Sequence, residues 1–323
     1  MDIQHRVVTE IVVEPAIVHC SSVIETDDGL VCVWYEGPYE TSRETVIKIS
    51  RRKGVDGEWS SPAVLFDFHG LALGNPVLWK AGTEDLYITF PVLIDESWTE
   101  GLLFYSSSSD RGISWRDPSL FLPMKGFMPK TRPLRVNEGP LLFPLYHEQD
   151  LCPYLMIISD VSAPLESALV AETMARGKAI QPAIVQGEED RLLMFARTNQ
   201  GSIWQSVSYN GGYSWSIFEP TKLPNPDSAV DLCRNGDTVL LVYNDSAQDR
   251  HNLRAALSGD GGRSWYAART IVEGDGEYSY PSLMCSVDGT CHLTFTENRY
   301  IIRHSVFDKS WIEASPLEEP LRT

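Results

Sequence analysis

The sequence predicts an all-β chain folded as a six-bladed β-propeller, and three observations predict it. An octapeptide occurs three times: Ser108-Ser109-Asp110-Arg111-Gly112-Ile113-Ser114-Trp115, Ser208-Tyr209-Asn210-Gly211-Gly212-Tyr213-Ser214-Trp215 and Ser258-Gly259-Asp260-Gly261-Gly262-Arg263-Ser264-Trp265. Its tryptophans are 100 and 50 residues apart, a period near 50. The rest of the chain alternates short apolar runs with turn residues, among them 23 Gly and 20 Pro, and shows no long helical periodicity. In each octapeptide Asp or Asn can bond its own backbone, Gly can take a positive φ, and Trp can anchor a hairpin turn by burying its ring. Strand-rich repeats of this length mean a propeller or solenoid, and six four-stranded blades in one closed ring suit residues 1–323.

The elements follow that period. Residues 21–25, a turn at Asp27-Asp28-Gly29, 30–35 and 45–50 read as strands of a first unit, with 50–59 as a degenerate octapeptide ending in Trp59. The second unit begins at 75–79 and the third near 132–134, where Ser159-Asp160 starts a decayed copy. The fourth begins at 181–185, the fifth near 230–232, and the sixth at 280–283 with 305–311 as a degenerate copy. A strand near 7–13 is expected to complete the last blade, which removes the open edge of the ring. Residues 165–178 carry the one pattern that could form a short helix.

Composition narrows the function. The formal net charge of −17 argues against a nucleic-acid partner, which needs a basic footprint. It leaves room for a free anionic substrate if the pocket is locally basic. The polar start of the chain lacks the apolar core of a signal peptide, and no apolar run reaches the length of a membrane span, so a cytoplasmic protein is expected. The six cysteines include no CxxC pair and read as buried free thiols, with a disulfide between Cys285 and Cys291 left open. The seven histidines form no metal-binding pattern, so neither a metal nor a cofactor is expected. Oligomeric state is not legible.

Each unit opens with a polar residue, often followed by Pro, and then an apolar strand. The polar residues in that phase are His19, Glu40, Asn75, Lys130, Arg132, Gln181, Arg197, Asn225, Asp231, Asn244, Arg250, Tyr280 and Arg299. Innermost strands of a propeller line its axis, so these residues are expected at one mouth of the ring.

The octapeptides resemble the Asp-boxes, or BNR repeats, of the sialidase superfamily, and the resemblance extends over 19–304. It rests on phrases such as Trp34-Tyr35-Glu36-Gly37-Pro38, Gly74-Asn75-Pro76, Gln181-Pro182-Ala183, Pro224-Asn225-Pro226-Asp227 and Glu277-Tyr278-Ser279-Tyr280-Pro281. It implies that the boxes are structural turns on the outer rim, away from the site. Sialidases of this superfamily hold a substrate carboxylate with three arginines and use a Tyr nucleophile paired with Glu and an acidic proton donor. By resemblance Arg197 and Arg250 stand for the second and third arginines, Tyr280 for the nucleophile and Glu40 for the acid. The first arginine falls at His19 and the paired Glu at Gln181. Asn75, Lys130, Arg132, Asp231, Asn244 and Arg299 complete the candidate substrate-binding set. The expected function is an exo-acting glycoside hydrolase on a terminal acidic sugar, sialic acid or a relative. A lyase on a uronate-containing glycan, with Tyr280 and His19 as base and acid, and a non-catalytic sugar-binding propeller are the alternatives. Neutral Gln181 cannot activate a Tyr, so either another carboxylate serves as base, such as Glu148 or Asp231, or the mechanism differs.

Overall fold

The computed structural model describes residues 2–11, 16–54, 57–82, 84–137, 139–160, 168–173 and 179–323. Their strands form six antiparallel sheets. Blade 1 is Ile17–Thr26, Gly29–Gly37, Val46–Lys53 and Ala63–Phe66, each paired with the next. Blades 2 to 5 repeat this order. Blade 6 is Tyr278–Cys285, Cys291–Glu297 and Ile301–Phe307, completed by the N-terminal strand Gln4–Glu10, which pairs with Ile301–Phe307 and closes the ring. Blade 5 carries an additional outer strand, Pro316–Arg322.

The propeller is held by its seams. Inward-facing apolar residues of each blade interlock with those of the next, as Ile24, Val33 and Ile47 of blade 1 do with Leu78, Ile88 and Phe90 of blade 2. The same holds from blade 6 to blade 1, where Ile302 and Met284 meet Val23 and Trp34.

Each box joins the third and fourth strands of its blade, on the outer side. In the first, Ser108 Oγ donates to Asp110 Oδ1 (2.7 Å), Gly112 N donates to Ser108 Oγ (2.8 Å) and Ser114 N to Asp110 Oδ1 (2.8 Å). The second repeats these bonds through Asn210 and the third through Asp260. The shared turn requires Gly at the fifth position: Gly212 has φ +89°, and a Cβ there would lie 2.4 Å from Leu142 Cδ1.

The degenerate copies differ. Ser50 Oγ donates to Ser60 O (2.7 Å) as Ser106 Oγ does to Arg116 O (2.6 Å), so Ser50 matches the residue two before the box serine, and Arg52 stands at the box position. Residues 305–311 form no box: Asp308 caps a short helix, Lys309–Glu313, whose Trp311 packs on Phe307. The possible helix at 165–178 is corrected where it is described: Ala168–Glu172 is the outer strand of blade 3, because pairing with Cys152–Ile158 outweighs weak helical propensity; 165–167 and 174–178 lie outside the described residues. Cys285 and Cys291 face each other across the first hairpin of blade 6 and form the disulfide that the sequence left open; Cys20, Cys32, Cys152 and Cys233 stay outside any disulfide.

The innermost strands break their ladders at one shared level. Register shifts fall between His19 and Ser22, Ile180 and Ala183, and Ser279 and Ser282. In blade 2 the strand is interrupted between Ala72–Leu73 and Val77–Lys80, and in blade 3 between Phe127–Pro129 and Leu134–Arg135. Cys20, Asn75, Gln181 and Tyr280 have positive φ there (52°, 31°, 53° and 54°). A bulge of this kind re-aims a side chain, and Pro76, Pro182 and Pro281 follow where no ladder donor is needed.

Candidate functional site

The bulges turn Asn75, Gln181 and Tyr280 into one cavity of about 150 Å³, lined also by Tyr35, Glu40, Trp98, Tyr146, Glu148, Ile180 and Arg197. Arg197 ends the second strand of blade 4, Leu192–Arg197, and Tyr146 lies near the end of the second strand of blade 3, Leu141–His147. Glu40 and Trp98 come from connections that face the same mouth.

A belt of alternating charge runs along this mouth. Arg197 Nε donates to Asp227 Oδ1 (2.9 Å), and Arg250 Nη2 donates to Asp227 O (2.6 Å). Arg250 Nη1 donates to Glu277 Oε1 (3.1 Å), Arg299 Nε to Glu277 Oε2 (3.4 Å), and Arg299 Nη1 to Glu40 Oε1 (2.6 Å). Pairing of this sort is what buried cations require. Burial opposes the charge on Arg197, yet Tyr280 and Asp227 beside it raise its pKa. Burial likewise disfavours the Glu277 carboxylate, but Arg299 and Arg250 outweigh it and hold its pKa below the usual value.

Gln181 sits at the centre. Its Oε1 accepts from Arg197 Nη1 (2.9 Å), which fixes the amide so that Nε2 faces the hydroxyls of Tyr280 (3.3 Å) and Tyr146 (3.4 Å). Asn75 Nδ2 also donates to the Tyr146 hydroxyl (3.4 Å). His19 is 1% exposed and packs against Tyr280, with ring centroids 4.3 Å apart and the rings tilted by 59°. Neither of its ring nitrogens has a hydrogen-bond partner among the described residues; Glu40 Oε1 lies 3.8 Å from Nε2. Burial, then Arg299, Arg250, Lys130 and Arg197, push its pKa well below 6.5, so the ring is neutral. Burial raises the Glu148 pKa, although the Tyr146 hydroxyl and Arg197 pull the other way. No cluster of three or more metal-ligating side chains occurs among the described residues.

With six blades, three boxes and this mouth in place, the sequence comparisons decide the family. The family model of the BNR repeat-like domain matches residues 28–293, most of the chain. The chain belongs to the BNR repeat-like domain family. No curated protein matches it in sequence. Among solved structures, this BNR-repeat propeller is similar to the Hadza microbial sialidase Hz136, at 16% identity and a TM-score of 0.78, covering 92% of this chain and 66% of that one. It is similar to a leech intramolecular trans-sialidase complexed with 2,7-anhydro-Neu5Ac (13% identity, TM-score 0.77, 92% and 69% covered). It is equally similar to a protein of unknown function from Dyadobacter fermentans (14% identity, TM-score 0.77, 95% and 99% covered). At these identities the likeness is one of fold.

The sequence-predicted residues divide in two. His19, Glu40, Asn75, Gln181, Arg197, Arg250, Tyr280 and Arg299 converge on the mouth. The others serve the ring. Lys130 Nζ donates to Pro281 O (2.9 Å) and lies 5.7 Å from the Tyr280 ring centroid; Arg132 Nη2 donates to Val23 O (3.0 Å). Asp231 accepts from Leu283 N (2.7 Å) and its own neighbour Leu232 N (2.9 Å). These three tie blades 3, 5, 6 and 1 together across the axis and do not line the cavity. Burial raises the Asp231 pKa against the pull of Lys130 and Arg132. Asn244 Nδ2 donates to Tyr278 O (2.9 Å) and Asn252 O, and Asn225 bonds Ser228 and Thr198; both brace loops. Both terminal nitrogens of Arg250 donate to this chain's own acceptors, which engages one of the two N–H groups on each.

Sequence reasoning missed Tyr35, Trp98, Tyr146, Asp227 and Glu277 and named Glu148 only as a stand-in base. Tyr146 carried a signal: it lies 51 residues before Arg197, in the same phase of the repeat. Trp98 carried none, because its connection has no counterpart in the other blades.

Proposed function

We propose that this propeller is an exo-acting glycoside hydrolase that takes a terminal acidic sugar of a glycan. The observation that carries this reading is the gathering of Arg197, Arg250 and Arg299 at one mouth of a chain whose net charge is −17. Paired with Asp227, Glu277 and Glu40, these arginines make the belt close to neutral, so it repels an anion less than the acidic chain as a whole does. Among the described residues the belt engages Nε and Nη1 of both Arg197 and Arg299 and leaves their Nη2 groups, which suit a carboxylate. The cavity, about 150 Å³, is smaller than the roughly 300 Å³ at which pockets for larger ligands begin, so it suits one sugar ring, with the glycan extending outward. Tyr35 and Trp98 offer apolar walls to the ring. The test is incubation with aryl glycosides of N-acetylneuraminic, glucuronic and galacturonic acids. Release of aryl alcohol together with the free acidic monosaccharide is expected from at least one; binding with no release from any contradicts hydrolysis.

A second reading is favoured by one specific observation. His19 is neutral, buried and against Tyr280, while the neighbour of the Tyr280 hydroxyl is neutral Gln181. A neutral imidazole, a phenol and an arginine are the parts with which a lyase removes the proton beside a uronate carboxylate. A new double bond absorbing in the ultraviolet, without uptake of water into the product, would identify it.

A further inference from the structure

We propose that Cys233, Cys285 and Cys291 form a disulfide-exchange site at the seam of blades 5 and 6, where Cys233 attacks Cys285 and moves the disulfide from the hairpin of blade 6 to a bridge between the two blades. The site lies at the far end of the strand that carries Tyr280, and it does not depend on what the cavity binds or cleaves.

The seam brings the three sulfurs together. The innermost strand of blade 5, Asp231–Asn235, packs beside that of blade 6, Tyr278–Cys285. Asp231 Oδ2 accepts from Leu283 N (2.7 Å), which fixes how the two strands sit. Side chains two positions on return to the same face of a strand, so Cys233 meets Cys285. Their sulfurs are 3.3 Å apart, and Cys285 is bonded to Cys291. Cys20, Cys32 and Cys152 are buried thiols, whereas Cys233 and Cys285 are half-buried, so solvent base can reach Cys233. The sulfur that must leave, Cys291 Sγ, already faces a donor: Asn235 Nδ2 donates to it (3.4 Å) and to Gly289 O (3.1 Å). A donor there stabilises negative charge on the departing sulfur, and a better leaving thiol speeds exchange. Burial, then Asp231, push the Cys233 thiol up, while Arg132 pulls the other way. The thiolate is therefore scarce at neutral pH and the exchange is slow there, on the scale of uncatalysed disulfide rearrangement, and faster in base. Permanent contact of the two sulfurs offsets that scarcity, since attacker and target need not find each other.

The step conserves atoms and electrons. Cys233 gives its proton to solvent base, and its sulfur forms a bond to Cys285 Sγ. The Cys285–Cys291 bond breaks with its electron pair on Cys291 Sγ, which takes a proton from solvent. One disulfide and one thiol stand on each side, so no oxidant or reductant is consumed. The two bridges differ in what they hold. Cys285–Cys291 spans a sequence separation of 6 within one hairpin, whereas Cys233–Cys285 spans 52 and joins two blades. The moved bridge closes the longer loop, which restricts the unfolded chain more, and it ties the strand of Tyr280 to blade 5.

The experiment has two arms. In the first, the wild type is treated with oxidised glutathione to set the disulfide and then held in mildly alkaline buffer until exchange reaches equilibrium. It is unfolded at acid pH with N-ethylmaleimide present and digested with pepsin, and mass spectrometry identifies the linked peptides. A Cys233–Cys285 pair, with Cys291 alkylated, is expected beside the Cys285–Cys291 pair or in its place. Cys285–Cys291 alone, with Cys233 alkylated in every molecule, overturns the proposal, and so do three alkylated thiols. The second arm traps each state. Cys291→Ser, oxidised in the same way, should form the Cys233–Cys285 bridge within one chain, and Cys233→Ser should hold Cys285–Cys291 alone. A glutathione adduct in place of the bridge in Cys291→Ser, or two alkylated thiols there, overturns the proposal; so does a pairing of Cys285 with any other cysteine in Cys233→Ser. If Cys291→Ser does not fold, the wild-type arm still decides.

Discussion

The outer rim and the mouth of this propeller are built by opposite rules. On the rim, three boxes make the same bonds with residues two to four positions apart, and Ser258 binds Asp260 and Gly262 much as Ser108 binds Asp110 and Gly112. At the mouth, one bulge recurs in the innermost strands but delivers a different side chain each time: Asn75, Gln181, Tyr280 and, beside Cys20, His19. Its bonds join residues of different blades, Arg299 to Glu40 between blades 6 and 1 and Gln181 to Tyr280 between blades 4 and 6. Repetition marks what closes and stiffens the blade. Variation at a repeated position marks what the ring is used for.

The comparison breaks if damage to the rim reaches the mouth other than through unfolding. The largest effect is expected from Gly262→Val. Gly262 has φ +87° and an added Cβ would lie 2.4 Å from Leu193 Cδ2. Left-handed strain and overpacking together should lower the unfolding free energy by about 3 kcal/mol or more, measured by urea denaturation. Molecules that remain folded should bind an acidic sugar as the wild type does; a loss of affinity without a loss of stability would erase the distinction.

A smaller effect concerns a third region, the seam between blades 6 and 1. His292 Nδ1 and His304 Nε2 are 3.1 Å apart and buried. Burial, then Arg52, pushes His292 down to about 4; burial, then His292 and Arg52, pushes His304 down to about 2. Both folded-state values lie below the unfolded value near 6.5. Above that pH both states are neutral and the stability is complete. As pH falls below it the unfolded chain takes up protons that the folded chain resists, so stability is lost progressively on acidification. Between pH 6.5 and 5 each histidine should remove up to about 2 kcal/mol. Urea unfolding at the two pH values tests this, and equal stability would contradict it.

The same contrast explains what could be read from the sequence. A box is a local motif, complete within eight residues, so Trp115, Trp215 and Trp265 fixed the blade count without any knowledge of distant contacts. The bulge was legible as a polar residue ahead of Pro at Asn75, Gln181 and Tyr280. Which of these residues would meet was not legible. Asp227 and Glu277 stood in phrases already noted, but their role as partners of Arg197, Arg250 and Arg299 depends on how blades 4, 5 and 6 abut. Lys130, Arg132 and Asp231 shared the phase of the site residues and were drawn instead into hydrogen bonds across the axis, where buried backbone groups require partners.

The central claim is that the mouth recognises a carboxylate through Arg197. Calorimetric titration of wild type and Arg197→Ala with the acidic monosaccharide, and with its neutral amide, tests it most directly. Wild type should bind the acid at least about tenfold, or 1.4 kcal/mol, more tightly than the amide, and Arg197→Ala should reduce that preference. Equal affinity of the wild type for the acid and the amide would contradict the claim.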